Sequence, residues 1–157
     1  MASTQPAPDG TVPVATELLV RFRRLLGDDG VLAAEDELVV YECDGYVVEK
    51  KAPAVVLFPT TTEQVSEIVR TCNEFDVPFV PRGAGTSLAG GCLPVGGGVM
   101  ISLTRMKSIL EVNLQDRYAV VQPGLVNLHL TRHLAGTGFL YDPDPSSQGA
   151  CRIGVNV

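Results

Sequence analysis

The chain has 157 residues, 45% of them hydrophobic, the length of one ordinary domain with enough apolar material for a real core. Twelve Lys and Arg against 18 Asp and Glu leave a net charge of −6 with no basic run, which argues against a nucleic-acid or anionic-membrane surface. No apolar run approaches the roughly 18 to 20 residues of a membrane-spanning helix and no secretory signal opens the chain, so it reads as cytoplasmic, and any anion site must be local.

Residues 1–13, MASTQPAPDGTVP, are small, polar and Pro-rich and read as a disordered arm, with the domain occupying 14–157. From Thr16 the spacing predicts a helix with Leu19, Phe22, Leu25 and Leu26 on one face and Gly27 at its end, followed by a loop at Asp28-Asp29-Gly30. Val55 to Phe58 is a short buried-type strand closed by Pro59. The threonines after it offer two capping boxes, Thr60 with Glu63 or Thr61 with Gln64. The helix that follows carries Val65, Ile68, Val69 and Cys72 as its buried stripe and stops near Phe75.

Val77 to Val80 reads as a second strand, so strand, helix and strand predict a parallel pair joined by a right-handed crossover. Val99–Leu103, Ile109–Val112 and Tyr118–Val121 follow as strands, and Asn127–Ala135 as a helix ending at Gly136 or Gly138. Cys151–Val157 is apolar and β-branched, of a kind that belongs within a sheet, and ends without a polar tail, as a cut edge would. The fold class is mixed α/β, or α+β.

The run Arg82-Gly-Ala-Gly-Thr-Ser-Leu-Ala-Gly-Gly91 leaves the end of the second strand, where α/β sheets tend to place ligands. A dinucleotide fingerprint would open a helix here, but Leu93-Pro-Val-Gly-Gly-Gly98 cannot extend one. A P-loop would need Lys and Ser or Thr where Gly91 and Cys92 stand. What remains is a loop whose successive N–H groups can converge on an anion, with hydroxyls from Thr86 and Ser87; neutral donors of this kind suit an extended diphosphate. A plain flexible turn is the alternative.

Four dispersed cysteines without a C-x-x-C pair argue against zinc, an iron–sulfur cluster or a disulfide scaffold and read as reduced thiols. His129 and His133 sit four apart on a predicted helix without further ligands and read as solvated residues, not a metal pair. Asp142-Pro-Asp-Pro145 is by itself a tight-turn sequence.

Pro81–Gly91 resembles the pyrophosphate-binding loop of the vanillyl-alcohol oxidase and para-cresol methylhydroxylase (PCMH-type) FAD-binding domain. Tyr41–Gly45, Pro59–Thr61, Gln122–Gly124 and Asp144–Gln148 are similar, in order, to segments of the FAD-binding subunits of the glycolate oxidase and D-lactate dehydrogenase type. The resemblance implies that Arg82, Gly83, Ala84, Gly85, Thr86, Ser87, Gly90 and Gly91 hold the FAD diphosphate. It also implies that Pro123 and Gly124 turn beside the cofactor, and that Asp144, Pro145, Ser146, Ser147, Cys151, Ile153, Gly154 and Asn156 line its other flank. FAD would be noncovalent, since the loop carries Thr86 and no histidine.

The activity so implied is oxidation of a small 2-hydroxy acid, glycolate or D-lactate, with an iron–sulfur electron-transfer subunit as partner. The substrate domain and catalytic residues would lie beyond this N-terminal part of the family. Two residues depart from the pattern: a small or hydroxyl residue is expected at Arg152 and a second glycine at Val155, where positive φ would strain a valine and bulk would crowd the flavin. Two other readings stay open, a noncatalytic FAD or nucleotide-binding module and an inactive interaction fragment.

Overall fold

The computed structural model describes residues 15–156, with side chains as far as Val155; the expected arm 1–13 and Val157 lie outside the described residues. Helix α1 (Thr16–Leu26) buries Leu18 and Phe22 completely, while the expected Leu19, Leu25 and Leu26 pack around them half-buried. Gly27 ends it at φ +76°, its N–H donating to Arg23 O at 2.8 Å. Two elements that the sequence did not announce follow: strand β1 (Val31–Leu32) and the single-turn helix α2 (Glu35–Leu38).

Strand β2 (Val55–Leu57) is buried on both faces, as a continuous apolar run demands. It leads to helix α3 (Thr62–Glu74). Of the two expected capping boxes, Thr61 with Gln64 forms: Gln64 N–H donates to Thr61 Oγ1 at 3.2 Å, and Gln64 Oε1 accepts from the N–H of Thr61 at 3.3 Å and of Thr60 at 2.7 Å. The helix buries Ile68, Thr71 and Cys72.

The next strand lies later than the sequence suggests, β3 being Phe79–Arg82. Val77 is still in the turn, where its N–H closes α3 by donating to Cys72 O at 2.9 Å. The sheet order is β1-β2-β4-β3, with β4 (Val99–Ser102) parallel to both β2 and β3 and β1 antiparallel to β2. The expected neighbours β2 and β3 are therefore separated. Burial explains it: all four β4 residues are buried, whereas β3 exposes Phe79 and Pro81, and a proline without an N–H suits an edge.

One face of this sheet, Val55, Leu57, Val99 and Ile101, packs on α1 and α3. The other, Val56 and Met100, packs on Leu38, Tyr41 and Phe58. Each such fully buried aliphatic side chain contributes roughly 1.5–3 kcal/mol. A second small core lies under the antiparallel hairpin β5 (Ile109–Asn113) and β6 (Tyr118–Val121), where helix α4 (Asn127–His133) contributes Leu130 beside Leu125, Leu134 and Ile153. Helix α4 stops two residues before its expected end. Cys151 onward is not a strand: only Arg152 pairs, in an isolated bridge with Val126, and Ile153–Asn156 form a short helix, α5.

Candidate functional site

Because β2, β3 and β4 are parallel, their carboxyl ends share one edge of the sheet. The glycine loop leaves β3 there, beside Leu103 at the end of β4. A cavity of about 240 Å³ opens on it, lined by Gly83, Gly85, Thr86, Ser87, Gly91 and Gly154 among others. That is smaller than the roughly 300–1,000 Å³ of a whole ligand pocket, so it suits one part of a larger ligand.

Arg82 is the last residue of β3 and turns inward, only 8% exposed. Its Nη1 donates to Cys43 O at 2.9 Å and lies 3.3 Å from Cys92 Sγ, and its guanidinium stands 5.6 Å from the Tyr41 ring centre. The Cys92 thiol in turn reaches Asp44 Oδ2 at 3.7 Å. Burial pushes the Cys92 thiol up, against the opposing pull of Arg82, and the Asp44 carboxylate adds to the rise. Arg82 thus forms the floor of the loop. Gly85, at φ +74°, lies directly over it: a Cβ there would meet Arg82 Cζ at 2.6 Å and run into Nη2.

The loop's far side is held by the segment 44–46, where the Tyr46 N–H donates to Asp44 Oδ1 at 2.8 Å. A Cβ on Gly45 would stand 2.8 Å from Ser87 O and 3.4 Å from Thr86 O, so both carbonyls face this segment. Every peptide described is trans, and a trans peptide points its N–H opposite to its C=O. The N–H groups of Ser87 and Leu88 therefore face away from Gly45. Among the described residues, none of the backbone N–H groups of residues 84–88 reaches an acceptor. Five successive donors without partners, beside a cavity whose lining contains no carboxylate, fit an anion.

The opposite wall comes from distant sequence. Gln122 binds the hairpin to the start of α3, its Nε2 donating to Thr60 O at 3.2 Å and its Oε1 accepting from Ser108 N–H at 3.0 Å. Pro123 O then accepts from Gly154 N–H at 2.9 Å, and Leu125 O from Ile153 N–H at 2.9 Å. Gly154 and Val155 are so brought to Gly83, where a Cβ would stand 2.5 Å from Val155 Cγ2. Val155 is not strained, since the non-glycine residues at positive φ among those described are Asp76 and Arg117. Its side chain does narrow the cavity. Gly124 packs inward, its N–H donating to Met106 O at 2.7 Å where no Cβ fits.

Of the expected site residues, Arg82, Gly83, Gly85, Thr86, Ser87, Gly91 and Gly154 therefore meet at one cavity. Ala84 and Gly90 belong to the same loop without lining it. Pro123 and Ile153 line a neighbouring cavity of about 660 Å³ that shares Gly154. Asp144, Pro145, Ser146 and Ser147 line neither cavity, the last two opening a series of turns in which Ser147 O accepts from the Cys151 N–H at 2.8 Å; Cys151 is buried, and Asn156 lies in α5.

Sequence reasoning missed Asp44, Cys92 and Asn127 as parts of the site's frame. Asn127 is fully buried and its Nδ2 donates to Pro143 O at 2.7 Å, tying down the segment 142–145, which is irregular where the sequence suggested a tight turn; the turns begin at Ser146. Two signals pointed to Asp44: it lies inside the Tyr41–Gly45 segment that carries the resemblance, and its place before Gly45 is an Asx-turn position. His129 and His133 are exposed on α4, and among the described residues no cluster of His, Cys, Asp or Glu could hold a metal. No disulfide links the described cysteines. No helix among those residues is long and apolar enough to cross a membrane.

Residues 53–157 match the FAD binding domain family. The chain belongs to that family. Its FAD-binding domain is 42% identical over 151 residues to the glycolate oxidase subunit GlcD of Escherichia coli K12, covering 95% of this chain and 30% of that protein. It is 35% identical to the D-lactate dehydrogenase of Anaerostipes hadrus, over 92% of this chain and 30% of that one. Among solved structures, p-cresol methylhydroxylase with substrate bound superposes with a TM-score of 0.68 at 30% identity, over 79% of this chain and 26% of the other. The chain thus spans about a third of the length of its relatives, and the PCMH-type fold and the FAD cofactor expected from the sequence are both borne out.

Proposed function

We propose that this FAD-binding domain holds the diphosphate of a noncovalent FAD on the loop amides from Gly83 to Ser87, as the flavin-binding part of an enzyme that oxidises glycolate or D-lactate to the 2-oxo acid. The observation that carries the reading is the run of unpartnered N–H groups at residues 84–88 over the buried Arg82. The names of the relatives support the substrate class.

In this reading Thr86 and Ser87 add hydroxyls to the amides, and Gly90 and Gly91 leave the backbone open to close approach. Pro123, Gly124, Ile153, Gly154 and Asn156 carry the second wall, with Cys151 behind it and Asp144 to Ser147 on the outer flank. Bound FAD supplies the acceptor for the hydride leaving the substrate α-carbon. The base that takes the hydroxyl proton and the cation that holds the carboxylate belong to a substrate domain outside this chain. Noncovalent attachment follows from Thr86 standing in the loop, and neither histidine lines the cavity.

The relatives named as a glycolate oxidase subunit support a multi-subunit enzyme, and we assign an iron–sulfur subunit the role of electron acceptor, in the cytoplasm. One observation favours a second reading, a module that binds FAD without catalysis: Val155 Cγ2 crowds Gly83 at the cavity.

Thermal unfolding with and without FAD tests the proposal. FAD at a hundredfold over its dissociation constant adds about 2.7 kcal/mol, which raises the midpoint by roughly 5–11 °C. Retained yellow colour after desalting, released to the supernatant by acid precipitation, is expected. An unmoved midpoint and a colourless protein would overturn the assignment. Addition of glycolate or D-lactate to a longer protein that carries the substrate domain behind this chain separates the two readings, since the first expects the bound flavin to bleach and the second does not.

A further inference from the structure

Arg152 stands where the resemblance calls for a small or hydroxyl residue, and its side chain has no acceptor among the described residues. No ion pair or hydrogen bond engages its guanidinium, and its Nε is buried without a partner. A guanidinium that no acceptor of the chain engages is left able to pair, through its outer nitrogens, with an anion that arrives from outside.

Its location says which kind of partner. The bridge between Val126 and Arg152 fixes the backbone, and the stem lies against the first residue of the glycine loop: a Cβ on Gly83 would stand 3.3 Å from Arg152 Cγ and 3.4 Å from its Cβ. Arg82, the other cation at the loop, already gives Nη1 to Cys43 O. In a chain of net charge −6, an uncommitted cation whose stem lies against Gly83, the residue before the five unpartnered amides, adds positive charge next to the loop.

We propose that Arg152 is a cofactor-binding residue of this chain, donating a charge-assisted hydrogen bond to the FAD diphosphate from the wall opposite the glycine loop. This rests on the FAD reading above and reverses the expectation that Arg152 merely obstructs the flavin. Neutral amides bind a diphosphate only modestly in competition with water; a guanidinium adds both charge and a forked donor.

The test is calorimetric titration of the full chain and of Arg152→Ala and Arg152→Gln with FAD and with ADP, at low and high salt. ADP carries the diphosphate without the flavin. We expect both variants to bind both ligands about tenfold to a hundredfold more weakly, with a shallower salt dependence, and Arg152→Lys to recover part of the loss. Unchanged affinity, or tighter FAD binding with ADP unaffected, overturns the proposal and restores the obstruction. Failure of the parent chain to bind FAD at all sinks the FAD reading itself and this inference with it. Parent-like unfolding midpoints without ligand show that each variant is folded, and Arg152→Gln serves if the alanine variant is not.

Discussion

Gly85→Ala is the sharpest perturbation of the loop, because two independent costs meet at one atom. Residue 85 sits at φ +74°, where an L-residue is disfavoured by about 1–2 kcal/mol. The added Cβ would also stand 2.6 Å from Arg82 Cζ, so the guanidinium must move and give up its bond to Cys43 O, a charge-assisted interaction worth about 1.5–3 kcal/mol. Together they predict a loss of about 3 kcal/mol, or roughly 6–12 °C in the unfolding midpoint, with weaker FAD binding beside it.

A double-mutant cycle separates the terms. In an Arg82→Met background the collision is gone and only the backbone cost of about 1–2 kcal/mol should remain, measured by denaturant unfolding of all four proteins. If Gly85→Ala costs the same in both backgrounds to within about 0.5 kcal/mol, the guanidinium does not lie under the loop and Arg82 is not its floor.

Gly124→Ala should be worse, because its Cβ would meet the Leu103 and Met106 carbonyls, which are backbone and cannot step aside; loss of a cooperative thermal transition is expected, and a parent-like midpoint would refute the packing. Thr61→Ala removes the capping box of α3 and should lower stability by about 1 kcal/mol while leaving FAD affinity unchanged, read by urea titration and calorimetry. Burial pushes the Cys72 thiol up to about 11 from its ordinary 9.0. The folded state then keeps a proton that the unfolded chain sheds, so this contribution is intact below pH 9 and falls away by about 2–3 kcal/mol between pH 9 and 11. Cys72→Ala should flatten that limb of the pH–stability curve, and an unchanged slope would refute it.

Where a feature depends on near neighbours it was legible in the sequence. The cap and buried stripe of α3 are written in consecutive residues, and the loop's suitability for an anion follows from glycine and hydroxyl chemistry alone. The order β2-β4-β3 was not legible, because it depends on which strand is buried on both faces, a comparison between strands whose paired residues, such as Phe79 with Val99 and Val55 with Val99, are far apart in the chain. Strand β1, two residues long, exists only through pairing with β2. Ile153-Gly-Val155 has β-branched character, yet its N–H groups go to Pro123, Leu125 and Arg152 carbonyls, which leaves a helical turn where a strand was expected. The inward turn of Arg82 was invisible for a similar reason: its acceptor, Cys43 O, is 39 residues away.

That inward turn bears on kinetics. Arg82 joins the neighbouring Tyr41 and Cys43, 39 residues before it in the case of Cys43, to Cys92, 10 residues after it, beneath a segment rich in conformational freedom. A loop riveted in this way has lost its entropy during folding, so an arriving ligand need not pay it again. Such preorganisation acts mainly on how long a complex lasts, not on how often it forms. Rapid-mixing experiments with Arg82→Met should therefore show FAD leaving faster while entering at nearly the parent rate, which makes the floor of the loop a timer for cofactor retention.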